Sequence, residues 1–239
     1  MLFLIDLDGT LVDTDDLHRE AWATVLKTTP ERIKKIPDIH LFLDGIYDAE
    51  YLRVCKKREM LKTKNITCIK NAEKFIAFIV EHDINHVVVT NTNREVVEHF
   101  KKQVPILNTL KNWIVREDYT KPKPNPECYK LAVRTYGRDE KCVMGFENST
   151  QGLESLRHVT DSIFIINNET NYLKVIEQIK LQCPKKFGTH LTSLNHMVKK
   201  RSRPLKNVFV MAGSLALVIA LWSLRRGFPI FSERNEDYL

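Results

Sequence analysis

Leu2-Phe3-Leu4-Ile5-Asp6-Leu7-Asp8-Gly9-Thr10 opens the chain. An apolar run that reads as a strand delivers two carboxylates, one residue apart, into a glycine turn. Like charges that close repel, and burying either costs several kcal/mol unless it is paired. A cation between them removes the conflict. Mg²⁺ suits the pair because it takes hard oxygen ligands and keeps several of its waters. The plainer alternative is a solvent-facing acidic turn after an edge strand.

Further apolar runs follow at intervals: His86–Thr90, Trp113–Val115, Cys142–Phe146 and Ile163–Ile166. They are rich in β-branched residues and apolar on both faces, as strands of a covered parallel sheet are. Amphipathic segments lie between them. Asn93 can cap a helix carrying Val96, Val97 and Phe100, and Pro126 can sit in the first turn of one carrying Tyr129 and Val133. The alternation predicts an α/β fold, a doubly wound parallel sheet. Roughly 80 residues separate the first two strands, far more than a crossover needs. Three apolar stripes, Ala21-Trp22-Val25-Leu26, Ile39-Leu41-Phe42-Leu43 and Tyr51-Leu52-Val54-Leu61, predict a small helical cap inserted after the first strand. The expected division is a core of residues 1–16 and 70–182, a cap of 17–69, a basic linker of 183–206, a membrane helix of 207–225 and a short tail of 226–239.

The first strand and its turn, continued as Leu11-Val12-Asp13-Thr14, resemble the first motif of the haloacid dehalogenase (HAD) superfamily of aspartate-nucleophile phosphotransferases. That superfamily carries three more motifs in fixed order. Val89-Thr90-Asn91 is similar to the second; a strand-end threonine in a parallel sheet faces the ligand crevice, although a threonine before a helix is also an ordinary cap. Lys121-Pro122-Lys123-Pro124-Asn125-Pro126 looks like the third, with Lys121 as the expected phosphate-facing cation and Lys123 expected on the surface. A proline-stiffened loop holds a lysine at low entropy cost. Gly145-Phe146-Glu147-Asn148-Ser149-Thr150-Gln151-Gly152 resembles the fourth, usually Glu-Asp-Ser-x-x-Gly, but with Asn148 where an aspartate is usual. An amide can ligate a metal through its oxygen but lacks the charge. Asp15-Asp16-Leu17-His18-Arg19-Glu20-Ala21-Trp22 is similar to the β-phosphoglucomutase and phosphoglycolate phosphatase group, which implies that His18 faces the cleft.

The resemblance implies a Mg²⁺-dependent phosphatase acting on a small phosphorylated metabolite. Asp6 would be the nucleophile and Asp8 the acid and base. Thr90, Asn91 and Lys121 would bind the phosphate. Asp6, Asp8, Glu147 and Asn148 would hold the metal. A phosphomutase is the alternative enzyme, and a catalytically inactive, membrane-tethered phosphate-binding scaffold is the alternative of another class.

Charge and cysteines narrow the setting. The net charge is +7, but from Lys199 onward eight Lys/Arg face three Asp/Glu, so most of the excess belongs to the tail. The body is not basic enough to suggest a nucleic-acid partner. The five cysteines, Cys55, Cys68, Cys128, Cys142 and Cys183, are scattered, as reduced thiols of a cytosolic protein are. No signal peptide is expected, since the first strand carries the chemistry. Val208–Leu224 contains no charged residue, with Lys199, Lys200, Arg201, Arg203 and Lys206 before it and Arg225 and Arg226 after it. Residues 207–225 therefore read as a single membrane span in contact with lipid. The protein would be tail-anchored, with its catalytic domain on the cytosolic side.

Overall fold

The computed structural model describes residues 1–36, 39–44, 48–167 and 170–187. The expected span at 207–225 and its linker from 188 lie outside them. Among the described residues, no helix is long and apolar enough to cross a membrane.

Five strands form one sheet: β1 (Leu2–Ile5), β2 (Asn85–Val89), β3 (Trp113–Ile114), β4 (Val143–Glu147) and β5 (Ile163–Ile165). Their order is β3-β2-β1-β4-β5, and every pairing is parallel. The first strand is thus central, and Ile5 is level with Val88 on one side and Phe146 on the other. The residues that follow these three, in the first, second and fourth sequence motifs, are thereby delivered to the same edge.

Alternate residues enter different cores. Leu2, Leu4, Val87, Val89 and Ile114 pack with residues of α7 (Glu127–Tyr136) and α8 (Thr150–Leu156). Phe3, Ile5, Val88, Met144 and Phe146 pack on the other face, with α5 (Ala72–Glu81), α6 (Arg94–Gln103) and α9 (Tyr172–Gln182). Aromatic rings bind that second layer. Phe75 lies 4.8 Å from Phe146 and 5.0 Å from Tyr172, and Phe146 stacks on Phe164 at 5.1 Å. The Tyr172 hydroxyl donates to the Thr10 carbonyl at 2.6 Å, which ties α9 to the acidic turn.

The insertion folds as α1 (Asp15–Val25), α2 (Pro30–Lys34), α3 (Ile39–Asp44) and α4 (Ala49–Met60) around its own small core of Trp22, Ala23, Ile33 and Leu43. The short α2, started by Pro30, escapes the apolar periodicity. Tyr51, which the third stripe places inward, is exposed, because α4 turns Leu52 toward the cap core instead. The entry and exit chains meet where Asp13 N–H donates to Thr67 O at 2.9 Å and Ile69 N–H to Leu11 O at 3.0 Å. A short helix, α10 (Pro184–Phe187), follows α9, its Phe187 ring 5.3 Å from Phe78.

Because Phe75 sits between three other rings, truncating it leaves a void that the sheet cannot close. Phe75→Ala should lower stability by about 3–5 kcal/mol in urea unfolding. A loss below about 1 kcal/mol would show that this face tolerates collapse.

Candidate active site

Asp6 follows β1 and is 6% exposed. Lys123 lies against it, 5% exposed, with its ammonium donating to Asp6 Oδ1 at 2.6 Å, Glu147 Oε1 at 2.8 Å and the Val89 carbonyl at 2.9 Å. All three ammonium protons are thereby used, at the ends of three adjacent strands. Glu147 is fully buried and also accepts from the Ser149 N–H at 2.8 Å and the Ser149 hydroxyl at 3.1 Å. Burial and the charge of Glu147 push the Asp6 carboxyl up, and Lys123 pulls it partly back. Lys123 is held protonated despite its burial, by Asp6 and Glu147 together.

The expectation for the third motif is therefore corrected. Lys123, not Lys121, reaches the site. Lys121 is exposed, and its main-chain N–H donates to Glu127 Oε2 at 2.9 Å. The string contains two overlapping Lys-Pro-x-Pro frames, and the second abuts α7. Only that frame brings a lysine under the sheet edge. The Lys123–Pro124 peptide is cis.

Asp8 is hydrogen-bonded on both oxygens. Oδ1 receives the Thr14 hydroxyl at 2.8 Å and lies 2.8 Å from His18 Nε2; Oδ2 receives the hydroxyls of Thr90 at 3.0 Å and Thr92 at 2.8 Å. Burial opposes its ionisation, but His18 and these hydroxyls outweigh it and hold Asp8 well below the usual carboxylate range. Behind His18, Lys56 Nζ lies 2.5 Å from Nδ1. Burial pushes Lys56 down to about 8, with Asp8 acting the other way. One proton count allows two arrangements of this line. Either an ammonium donates to a neutral imidazole, or a neutral amine accepts from an imidazolium. Both leave Nε2–H donating to Asp8. Thr92 and Lys56 are site residues that the motifs did not name, and Thr14, which closes the first motif's string, had no role assigned. Thr92 adjoins the second motif. Lys56 has no local signal, being one of several charged residues along α4.

The Thr90 hydroxyl is thus turned to Asp8, and it also accepts the Thr92 N–H at 3.0 Å. Asn91 lines the cavity, but its side-chain oxygen is engaged with the lysine loop. Its Oδ1 accepts from the Lys123 N–H at 3.1 Å and lies 2.7 Å from the Tyr119 hydroxyl, so the amide clasps the lysine loop.

The expected metal ligands converge only in part. Among the described residues, no three Asp, Glu, His or Cys side chains group as metal ligands. The Asp8 carboxylate is filled by its four donors and Glu147 by Lys123 and Ser149, which removes both carboxylates as direct ligands in this arrangement. What remains is the Asp6 carboxylate and the Asn148 amide, whose Oδ1 also accepts from the Thr10 hydroxyl at 3.4 Å. In the Asp6–Lys123–Glu147 cluster two buried carboxyl groups share one ammonium, and Asp6 is pushed up by its burial and by Glu147. A divalent cation beside Asp6 would favour its ionised form, and few protein oxygens suit Mg²⁺, which keeps most of its waters.

Two glycines make room for these groups. Gly9 has φ +71°, and a Cβ there would lie 2.0 Å from Asn148 Nδ2. A Cβ on Gly152 would lie 1.6 Å from Glu147 Oε1. Above the acids is a cavity of about 910 Å³, in the range of small-molecule sites. Asp6, Asp8, Lys123 and Asn148 line its core side, and Arg19, Lys34, Arg53, Lys56 and Lys57 its cap side.

The family model for haloacid dehalogenase-like hydrolases matches residues 3–160. The chain belongs to this family. Hexitol phosphatase A of Escherichia coli (strain K12) is 25% identical over 157 residues, which cover 59% of this chain and 72% of that protein. The fold is similar to that of CbbY from Rhodobacter sphaeroides in complex with phosphate, with 20% identity, TM-score 0.56, and 65% of this chain and 81% of that one covered. It is also similar to a HAD hydrolase of family IA, variant 3, from Entamoeba histolytica, with 19% identity, TM-score 0.58, and 74% and 88% covered. Phosphoglucomutase-like and phosphoglycolate phosphatase-like structures are among its neighbours.

The two lysines separate by experiment. Lys123→Met leaves Asp6 and Glu147 facing each other without a counter-ion, and should cost about 3–5 kcal/mol of stability. Lys121→Met should change stability by no more than about 0.5 kcal/mol, since it removes an exposed side chain. Thermal unfolding of both variants decides the assignment; equal losses would restore Lys121 to the site.

Proposed function

We propose that the chain is a Mg²⁺-dependent phosphoric monoester hydrolase that uses Asp6 as nucleophile on a small phosphorylated metabolite. The observation that carries this reading is the placement of Asp6. It stands at the carboxyl end of the central strand, on the floor of a cavity whose cap side carries five cations, three of them paired with carboxylates, beside Glu50 and apolar residues. Lys123 fixes one oxygen of its carboxylate and leaves the other to attack phosphorus. An aspartyl-phosphate would form on Asp6 as the leaving oxygen departs.

Asp8 is the acid and base of this reading, and the Lys56–His18 contact supports it as the proton source. As the leaving oxygen takes charge, His18 Nε2–H can pass to Asp8 while Lys56 supplies Nδ1. Asp8 then protonates the leaving oxygen and, as a carboxylate, removes a proton from the attacking water. With all three Lys123 protons used, its ammonium acts as fixed charge, and the main-chain N–H of Asn91 is the donor offered to a phosphoryl oxygen. Bound Mg²⁺ would supply charge neutralisation at the phosphoryl group, held by Asp6 and Asn148. The cationic cap wall suits an anionic substrate.

Phosphomutase is the second reading, favoured by the contact from the cap lysine through His18 to Asp8. That contact couples cap position to the protonation of the catalytic acid. Isomerisation of glucose 1-phosphate would support it. Turnover of an aryl phosphate, with and without Mg²⁺, opposes the inactive scaffold.

Asp6→Asn should abolish turnover, because the amide is a poor nucleophile. A residual rate within about tenfold of the wild type would overturn the covalent role.

We also propose that residues 207–225 anchor the protein in a membrane, with the catalytic domain cytosolic. The support is the uncharged run of 208–224 and the heavier basic charge before it. In alkaline carbonate extraction the full chain should remain with the membrane fraction, and a chain ending at residue 198 should be soluble and active. Free extraction of the full chain would end this reading.

A further inference from the structure

Position 148 lacks the carboxylate usual in this motif, but a carboxylate stands beside it. Asn148, just after β4, and Asp15, in the first turn of α1, both occupy the space that a side chain on Gly9 would need. A Cβ on Gly9 would lie 2.0 Å from Asn148 Nδ2 and 2.7 Å from Asp15 Oδ1. The two polar atoms are therefore near neighbours, although one comes from the core and the other from the cap. Both residues line the cavity over Asp6 and Asp8.

An amide facing a carboxylate is complementary, since its N–H can turn toward the charge. Two carboxylates in these positions would repel. With Oδ1 accepting from the Thr10 hydroxyl at 3.4 Å, Asn148 turns Nδ2 to the side of Gly9 on which Asp15 lies, and the two are placed as complementary groups. The start of a helix favours acids in general, but that does not account for the direction Asp15 takes. Its neighbour Asp16 occupies the same first turn, lies 80% exposed and pairs with Arg19. Asp15 instead lies on Gly9, next to the residue that follows Glu147.

We propose that Asp15 is the outer acid of the metal shell in this chain. The charge absent from position 148 is supplied across Gly9 by Asp15, which acts on the waters of a bound divalent cation while Asn148 contributes its amide oxygen. The inference rests on the reading that this site takes Mg²⁺. It adds that the Asn148 departure is compensated and does not signal loss of the site. Asp15 is a positioning residue in this scheme and touches no reacting atom.

The test uses the full-length chain and a readout independent of turnover. Mn²⁺ binding is counted by electron paramagnetic resonance, with Mg²⁺ as competitor, and metal-induced shifts in thermal unfolding are recorded in parallel. Asp15→Asn should weaken Mn²⁺ and Mg²⁺ binding about tenfold or more, as loss of an outer-shell partner does. Asp16→Asn, on the same turn, should leave binding unchanged. Asp15→Asn combined with Asn148→Asp should return affinity to the wild-type level, because the charge is restored on the other side of Gly9. Metal-free unfolding temperatures show whether each variant is folded, and Asp15→Asn is nearly isosteric. Wild-type affinity in Asp15→Asn, or an equal loss in Asp16→Asn, overturns the inference and leaves the magnesium reading standing. Failure of the wild type to bind either metal overturns the magnesium reading and the inference with it.

Discussion

The ammonium of Lys123, shared by Asp6 and Glu147, is the constraint on which the site depends. Two carboxylates at the ends of adjacent strands cannot both be buried and ionised without a cation between them. Only a lysine from the loop before α7 arrives there, and its third proton goes to the Val89 carbonyl of the strand on the other side of β1. One side chain therefore registers β1, β2 and β4 at their chemical ends. The same contact explains Gly152, because the Glu147 carboxylate fills the space a side chain would need. It explains Asn91 as well, whose amide holds the lysine loop. The geometry of the Asp6 carboxyl is thus set by the fold itself, which is the preorganisation that the proposed role of Asp6 calls for.

The second aspartate is governed differently. Asp8 is held by hydroxyls from the core, Thr90 and Thr92, and by Thr14 and His18 at the base of the cap. Four donors to one carboxylate make it a strong acid's conjugate base, and as it stands it has no proton to give. If Asp8 acts as the acid, as proposed, a donor must be close, and the Lys56–His18 line stands where such a donor is needed. Burial brings Lys56 down to about 8, near enough to neutrality for its proton to be exchangeable. Because Lys56 comes from α4, the cap is a chemical partner of the core as well as a cover. A cap movement that separated Lys56 from His18 would change the proton supply to Asp8.

The parallel sheet was legible because each strand is apolar on both faces, and the period of the runs leaves little choice of fold. The two aspartates were legible as a pair because an apolar run ending in adjacent acids is otherwise unstable. The choice between Lys121 and Lys123 was not decided by the string, which offers the same motif in two frames. What decides it is where α7 begins, at Glu127, since that sets the reach of the loop. Glu127 takes the main-chain N–H groups of Thr120 and Lys121 and so fixes the outer frame at the surface. Thr92 and Lys56 were illegible for another reason. Their roles come from the pairing of β2 with β1 and from the docking of α4, and neither is local. The tail beyond residue 187 is read from its apolar run and flanking charge alone.

The departure at Asn148 illustrates how a site can keep its charge while changing its residues. A carboxylate at 148 would share a crowded turn with Asp6, Asp8 and Asp15, on a glycine with no side chain to separate them. Replacing one of these acids by an amide removes repulsion and keeps an oxygen for a cation. Gly9 makes the exchange possible, because its positive φ and missing Cβ let a cap residue and a core residue meet over one carbon. Conservation of net charge within the shell, and not identity at each motif position, is then the physical requirement. A cation held by one carboxylate and one amide would keep most of its waters. Those waters are the groups that a carboxylate on the far side of Gly9 can address.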